Sequence, residues 1–264
     1  MRVSPCAQRP ILVPCNLQNI DYQVDPYVGC GHYCYYCYAL NQAETNWAKE
    51  IRIHSDIAGQ LSEALETIPP QKIYLGYYTD PYQPCETEHR QTREVLEIIS
   101  KKGFSASILT KSDLVTRDMD LLHQMKDASV SVSVAFNDNS VRRLFEAHTI
   151  DTEDRIEALR NVRASGIKTN ALICPVIPYI TDVKPLIDML APHTDTIWIY
   201  GLSMQARSDQ NWQNCAGILD QHFPDLKDKI EEVVFSNDHS YWTQLRRKLE
   251  KLQKDQQLNL SIHL

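Results

Sequence analysis

The chain has 264 residues, 43% of them hydrophobic, with 34 acidic against 27 basic side chains and a formal charge of −7. That is enough apolar material for a sizeable core, and the length is ordinary for one α/β barrel. The acidic balance argues against a nucleic-acid-binding surface spread over the whole chain, leaving room only for a local basic groove. No apolar run approaches the roughly 18 residues of a membrane span, and the opening "MRVSPCAQRPILVPC" lacks the apolar core of a signal peptide. These features read as a soluble, cytoplasmic protein.

Eight cysteines are present, at 6, 15, 30, 34, 37, 85, 174 and 215. Without a sign of export, a disulfide framework is the weaker reading, and metal ligands, reactive groups or buried packing the stronger ones. Residues 1–22 read as an N-terminal arm. The stretch "YVGCGHYCYYCYA" (27–39) follows and sets Cys30, Cys34 and Cys37 three and then two residues apart, with no fourth cysteine nearby. A structural zinc site wants four ligands, and the candidates for a fourth are His32 inside the loop or the distant Cys85. Ferredoxin-type runs supply four thiolates at other spacings. Three thiolates so placed suit three corners of a four-iron cubane whose fourth iron stays open to an outside ligand.

Downstream, strand-like and helix-like blocks alternate. "KIYLG" (72–76) is a short apolar run, and "ETEHRQTREVLEIISKKG" (86–103) is helical in composition and stops at Gly103. "SASILT" (105–110) reads as a strand, "RDMDLLHQM" (117–125) as a helix and "VSVSVA" (130–135) as a strand. "DTEDRIEALRNVRASG" (151–166) is an amphipathic helix, followed by a strand at 167–174, a helix at 183–191 and a strand at 196–200. With a first strand running into the cysteine loop, this makes six βα units around a parallel sheet. The expected fold is α/β, a partial (β/α)6 TIM-like barrel, with an N-terminal arm at 1–22, a core at 23–204 and a helical C-terminal extension at 205–264, all in one domain. Trp242, Leu245, Leu249 and Leu252 mark an amphipathic helix in that extension.

Polar residues just beyond predicted strands converge on one mouth in a parallel α/β barrel. Thr79 and Asp80 follow the strand at 72–76, Lys111 the one at 105–110, and Ser133 and Asn137 lie near the end of 130–135. The bland alternatives are a turn before Pro81 for Asp80, a solvent-facing lysine and a packed strand serine. The histidines, among them His148 and His193, show no metal-ligand spacing. The basic stretches at 142–143 and 244–254 are interleaved with acid or leucine and read as solvated helix faces.

The "CGHYCYYC" segment resembles the Cx3Cx2C signature of the radical S-adenosylmethionine (radical SAM) superfamily, in which an aromatic residue, here Tyr36, precedes the third cysteine. The likeness extends over most of residues 21–200 and is nearest the spore photoproduct lyase-like (SplB-type) branch. It is carried by "DPYVGCGHYCYYCYA", "GYYTDPYQPCETEHRQTREVLEII", "ILTKSDLVTRDMDLL", "VSVSVAFND" and "RIEALRNVRASGIKTNALICPVIPYITD".

The resemblance implies that Cys30, Cys34 and Cys37 bind a [4Fe–4S] cluster and that SAM chelates its open iron. Reductive cleavage then gives a 5′-deoxyadenosyl radical that abstracts hydrogen from a substrate. By the same resemblance Tyr36 lines the adenine pocket, Lys111 pairs with the SAM carboxylate, and Ser133 bonds its amino-acid part or ribose. Thr79, Asp80 and Asn137 join them as cofactor-binding candidates. Thr79 and Asp80 stand where other members carry a glycine-rich stretch, so this sequence departs from the pattern there.

Tyr38 matches a tyrosine of the lyase's relay, and Cys85 is the nearest candidate for its hydrogen-donating thiol. The lyase's donor falls near Tyr78 in this register, which sets DNA-lesion repair below an unidentified substrate. A flavodoxin- or ferredoxin-type reductant is the implied partner. The rival class is a non-enzymatic zinc or iron–sulfur binding protein.

Overall fold

In a computed structural model, residues 1–236 and 238–264 are described. Seven strands run parallel in one sheet: β3 (Tyr22–Val24), β6 (Lys72–Leu75), β7 (Ser105–Thr110), β8 (Ser129–Ser133), β9 (Lys168–Val176), β10 (Thr196–Gly201) and β11 (Leu260–His263). They lie side by side in chain order, and β2 (Leu12–Pro14) caps the β3 edge antiparallel. A smaller sheet joins β1 (Arg2–Pro5), β5 (Glu50–Ile53) and β4 (Tyr27–Val28). The N-terminal arm is therefore built into both sheets. The fold is α/β with a mostly parallel sheet whose edges are β2 and β11.

Period-two alternation explains the layering. Ile73, Leu75, Ala106, Ile108, Val130, Val132, Ala171, Ile173, Ile197 and Ile199 are all buried in the principal core with helix residues such as Leu61, Val95, Leu159 and Leu186. Those helices are α1 (Ile57–Leu65), α3 (Gln91–Lys101), α6 (Thr152–Ala164) and α7 (Val183–Leu190). The intervening residues, among them Tyr74, Ser107, Leu109, Ser133, Leu172, Cys174 and Tyr200, face the other side of the sheet. Several of them line a cavity at the strands' carboxyl ends, where open parallel sheets bind ligands.

The helix expected over 86–103 divides into α2 (Glu86–His89) and α3 at Arg90, which takes φ +52°. The buried Glu86 carboxylate is the cause: it accepts bonds from Thr92 N (2.9 Å) and Arg93 N (3.3 Å), so the chain turns to present α3's first amides to it. The stretch over 117–125 is a 3-10 turn (Asp113–Asp118) running into α4 (Met119–Leu122). Between β8 and α6 lies the short helix α5 (Asn139–Phe145), which periodicity did not reveal.

The C-terminal region carries α8 (Gln210–His222), α9 (Pro224–Val234) and α10 (Ser240–Gln256) before β11 joins β10 in parallel, Ile197 opposite Leu260. The signal for β11 was present in "LNLSIHL", where Leu258, Leu260, Ile262 and Leu264 alternate with polar residues. Among the described residues no helix is long and apolar enough to cross a membrane.

Candidate active site

The cysteine loop leaves β4 through Gly29, at φ +95°, where a Cβ would press at 3.1 Å on both Trp47 and Ile51. Tight turns follow: Tyr33 N donates to Cys30 O (3.2 Å) and Cys37 N to Cys34 O (3.0 Å), after which a 3-10 helix runs from Tyr38 to Gln42. Cys30, Cys34 and Cys37 all line one cavity of about 480 Å³, together with Tyr36, Tyr38, Thr79, Asp80, Lys111 and Ser133. That volume suits a nucleotide-sized ligand.

Distant segments hold the loop in place. Gln83, fully buried, accepts from Gly31 N (2.7 Å) and donates to Gly29 O (3.0 Å), stapling the backbone on both sides of Cys30. At and just after the end of α5, Tyr35 N donates to Phe145 O (2.9 Å), the Tyr36 hydroxyl donates to Glu146, and His32 Nδ1 lies 3.2 Å from His148 O. From α8, Asn211 Nδ2 donates to Tyr36 O (3.4 Å).

Behind Tyr36 lies a dry ion pair. Arg155 Nη2 meets Glu146 Oε2 at 2.5 Å, both side chains all but inaccessible to solvent, while Arg155 Nη1 donates to Ser133 O (2.9 Å). One guanidinium thus ties the aromatic ring of the cysteine loop to the carboxyl end of β8. Burial opposes charge on Glu146, yet Arg155 and Lys111 hold its carboxyl below the usual range.

The loop after β6 is shaped by Gly76, at φ +104°, where a Cβ would lie 2.3 Å from Leu109 O. Asp80 then reaches across to β7. Its carboxylate accepts from Tyr82 N (2.8 Å), Thr110 Oγ1 (2.7 Å) and Lys111 N (2.7 Å), and Oδ2 sits 3.4 Å from His32 Nε2, too far for a well-formed hydrogen bond. Burial alone would raise the Asp80 pKa, but His32, Thr110 and the Lys111 amide hold it down at about 2. Thr79 is held instead by Asp25, which accepts from both its amide (2.9 Å) and its hydroxyl (3.2 Å).

Lys111 Nζ stands 5.9 Å from the Tyr36 ring centroid, and among the described residues it makes no ion pair. Burial disfavours its charge, but Cys34, once its thiol is ionised, and the Glu146 carboxylate raise it above the ordinary lysine value. Ser133, 2% exposed, donates to Cys174 O at 3.4 Å. Asn137 is exposed in the turn before α5 and does not line the cavity. Cys85 caps α2, also off the cavity, its thiol pushed up to about 12 by burial and by Glu86 beside it. A different thiol, Cys174 at the end of β9, does line it.

Without metal the loop thiols resist ionisation. Burial, with the charge of Asp80 beside it, pushes Cys30 up to about 12, and burial raises Cys34 and Cys37. Metal binding there must displace protons. Among the described residues no three His, Cys, Asp or Glu side chains are grouped to hold a single ion. A cubane asks for something else, three thiolates on three separate irons. His32 is turned to Asp80 and His148, so the loop presents an all-thiolate donor set, soft and suited to iron–sulfur.

The sequence model of the radical SAM superfamily matches residues 24–190. This chain belongs to that superfamily. Its cofactors are the family's, a [4Fe–4S] cluster and SAM. An uncharacterised protein of Methanocaldococcus jannaschii is 29% identical over 238 residues, 86% of this chain and 90% of its own. The spore photoproduct lyase of Clostridium acetobutylicum is 26% identical over 218 residues, 79% of this chain and 62% of its own. Among solved structures, a spore photoproduct lyase mutant with dinucleoside spore photoproduct shares the fold at TM-score 0.64 and 17% identity, over 84% of this chain and 65% of that one. The chain is thus similar in sequence and in fold to spore photoproduct lyases, the likeness its sequence blocks implied.

Gln83→Ala is expected to leave two buried backbone groups unpaired, lowering stability by about 2 kcal/mol in chemical denaturation and reducing the iron retained after anaerobic reconstitution. Asp80 is depressed in the folded state, so its contribution to stability is present above its ordinary value of 3.8 and is lost as pH falls from there through about 2. Asp80→Asn should therefore flatten that acid limb in urea titrations between pH 2 and pH 5.

Proposed function

We propose that this radical SAM enzyme reductively cleaves SAM and uses the resulting 5′-deoxyadenosyl radical to abstract hydrogen from a substrate still to be identified. The observation that carries the reading is the convergence in one cavity of the three loop thiols with the half-buried Lys111 ammonium, which makes no ion pair among the described residues. When bound, the cluster supplies the electron for that cleavage. Cys30, Cys34 and Cys37 hold it, and Lys111 meets the SAM carboxylate as a point charge. Tyr36, fixed by Glu146, borders the adenine, and Ser133 offers its hydroxyl to the amino-acid part or ribose. Thr79 stands beside them, its own hydroxyl satisfied by Asp25, and Asp80 acts through its grip on the Lys111 amide. Asn137 and Cys85 lie away from the cavity, so the reading gives them no step. Tyr38 stays on its wall, with its hydroxyl tied to Tyr77 O.

Eight free cysteines suit a reducing, cytoplasmic setting, with a small flavodoxin- or ferredoxin-type reductant as partner. A second reading, DNA-lesion repair, draws on the likeness to spore photoproduct lyase. The net charge of −7 and the placement of Cys85 outside the cavity favour another substrate.

Cys34→Ala should abolish both the brown colour of reconstituted protein and the release of 5′-deoxyadenosine from SAM with dithionite. Lys111→Ala should keep its iron and bind SAM about tenfold more weakly in equilibrium dialysis. Unchanged affinity would remove Lys111 from the site. A salt titration of duplex-DNA binding separates the substrate classes, since phosphate contacts weaken as salt rises. No binding at low salt is expected.

A further inference from the structure

Three tyrosines form a corner at the mouth of the cavity. Tyr77 and Tyr78 meet at 72° with centroids 4.8 Å apart, and Tyr38 meets Tyr77 at 82° and 6.3 Å, and Tyr78 at 54° and 6.2 Å. All three line the cavity. Tyr38 is 47% and Tyr78 36% exposed, unusual for such large rings. Steeply inclined rings around one corner offer negative ring faces from more than one direction, the kind of surface that attracts organic cations.

Behind this corner lies Asp25. One carboxylate oxygen, Oδ1, accepts from Tyr78 N (3.1 Å), Thr79 N (2.9 Å) and the Thr79 hydroxyl, while among the described residues Oδ2 receives no hydrogen bond. Arg9 shares a second cavity with Asp25, but its guanidinium is paired with Glu44 at 2.9 Å. Burial raises Asp25 to about 6, against its bonds from Thr79 and Tyr78 and the nearby charge of Arg9; it lines the second cavity, behind the tyrosines, and makes no salt bridge among the described residues. Lys111, the cation assigned to the SAM carboxylate, lines the same cavity. A ligand in that cavity therefore meets a positive group at one point and, at another, an aromatic corner with a carboxylate behind it.

We propose that the Tyr38–Tyr77–Tyr78 corner, backed by Asp25, binds a positively charged group of the substrate, an ammonium or a guanidinium. The substrate class is then an amine- or guanidine-bearing molecule, free or as a side chain of a peptide. The inference rests on reading the cavity as the active site, but it concerns recognition and not radical chemistry. A polyanion such as DNA has the wrong sign for this corner, in keeping with the acidic chain as a whole.

One other cation could seek the same rings, the sulfonium of SAM itself, and the test separates the two sources. The probe pair is choline and 3,3-dimethyl-1-butanol, alike in shape and different in charge, titrated calorimetrically into anaerobically reconstituted protein saturated with SAM. Choline is expected to bind about tenfold more tightly than the alcohol. Tyr78→Leu and, separately, Asp25→Asn should each bring the ratio close to one. Tyr78 is exposed, so its variant keeps the test valid even if the Asp25 variant does not fold.

Equal binding of the two probes by the unaltered protein would overturn the proposal. So would a preference that survives both substitutions, or choline binding that is lost when SAM is added. Release of 5′-deoxyadenosine is measured on the same preparations. Cleavage without charge preference defeats the cation site alone, whereas absence of cleavage defeats the reading beneath it.

Discussion

The site depends on an ion pair that never meets water. Glu146 and Arg155 are both fully buried, and a buried charge that loses its partner costs about 3–5 kcal/mol. Their strong mutual need fixes geometry on every side: Glu146 receives the Tyr36 hydroxyl, and Arg155 grips the carbonyl of Ser133. The cysteine loop and the end of β8 are thereby held in one register, and Lys111 faces an aromatic ring that cannot swing away. Removing either charge would loosen the cofactor pocket before it touched the thiols.

Much of the fold could be read locally. Strands such as "SASILT" and "VSVSVA" announce themselves by composition, and the stops at Gly103 and Gly166 take positive φ (+76° and +88°) as helix ends of that kind require. The cysteine spacing is likewise a local signal, because all three thiols lie on eight consecutive residues. Placement of Thr79, Asp80, Lys111 and Ser133 followed from topology alone, since carboxyl ends of parallel strands share one face.

What escaped was held over distance. Gln83 acts on Gly31 from 52 residues away, and Glu146 on Tyr36 from 110. Neither has a motif; a glutamine after a Pro-Tyr turn and a glutamate at a short helix's end look like surface residues until the chain folds. The Asn211 amide, 175 positions from Tyr36, is of the same kind. Cys85 and Cys174 show the converse. In the string both are solitary thiols, and only β9, by ending where it does, brings Cys174 to the cavity and leaves Cys85 outside.

Gln83, like Asn211, differs from Glu146 and Asp80 in carrying no charge that can change. Were the family's cluster held beside Cys30, an uncharged amide bonded to two backbone groups would gain or lose no ion pair as an electron came or went, and the loop would be clamped alike in either oxidation state. A scaffold of this kind keeps the reorganisation energy of electron transfer low, because dipoles already aligned need not turn to meet the new charge. A neutral clamp on both sides of Cys30 would let the loop keep its shape while single electrons pass.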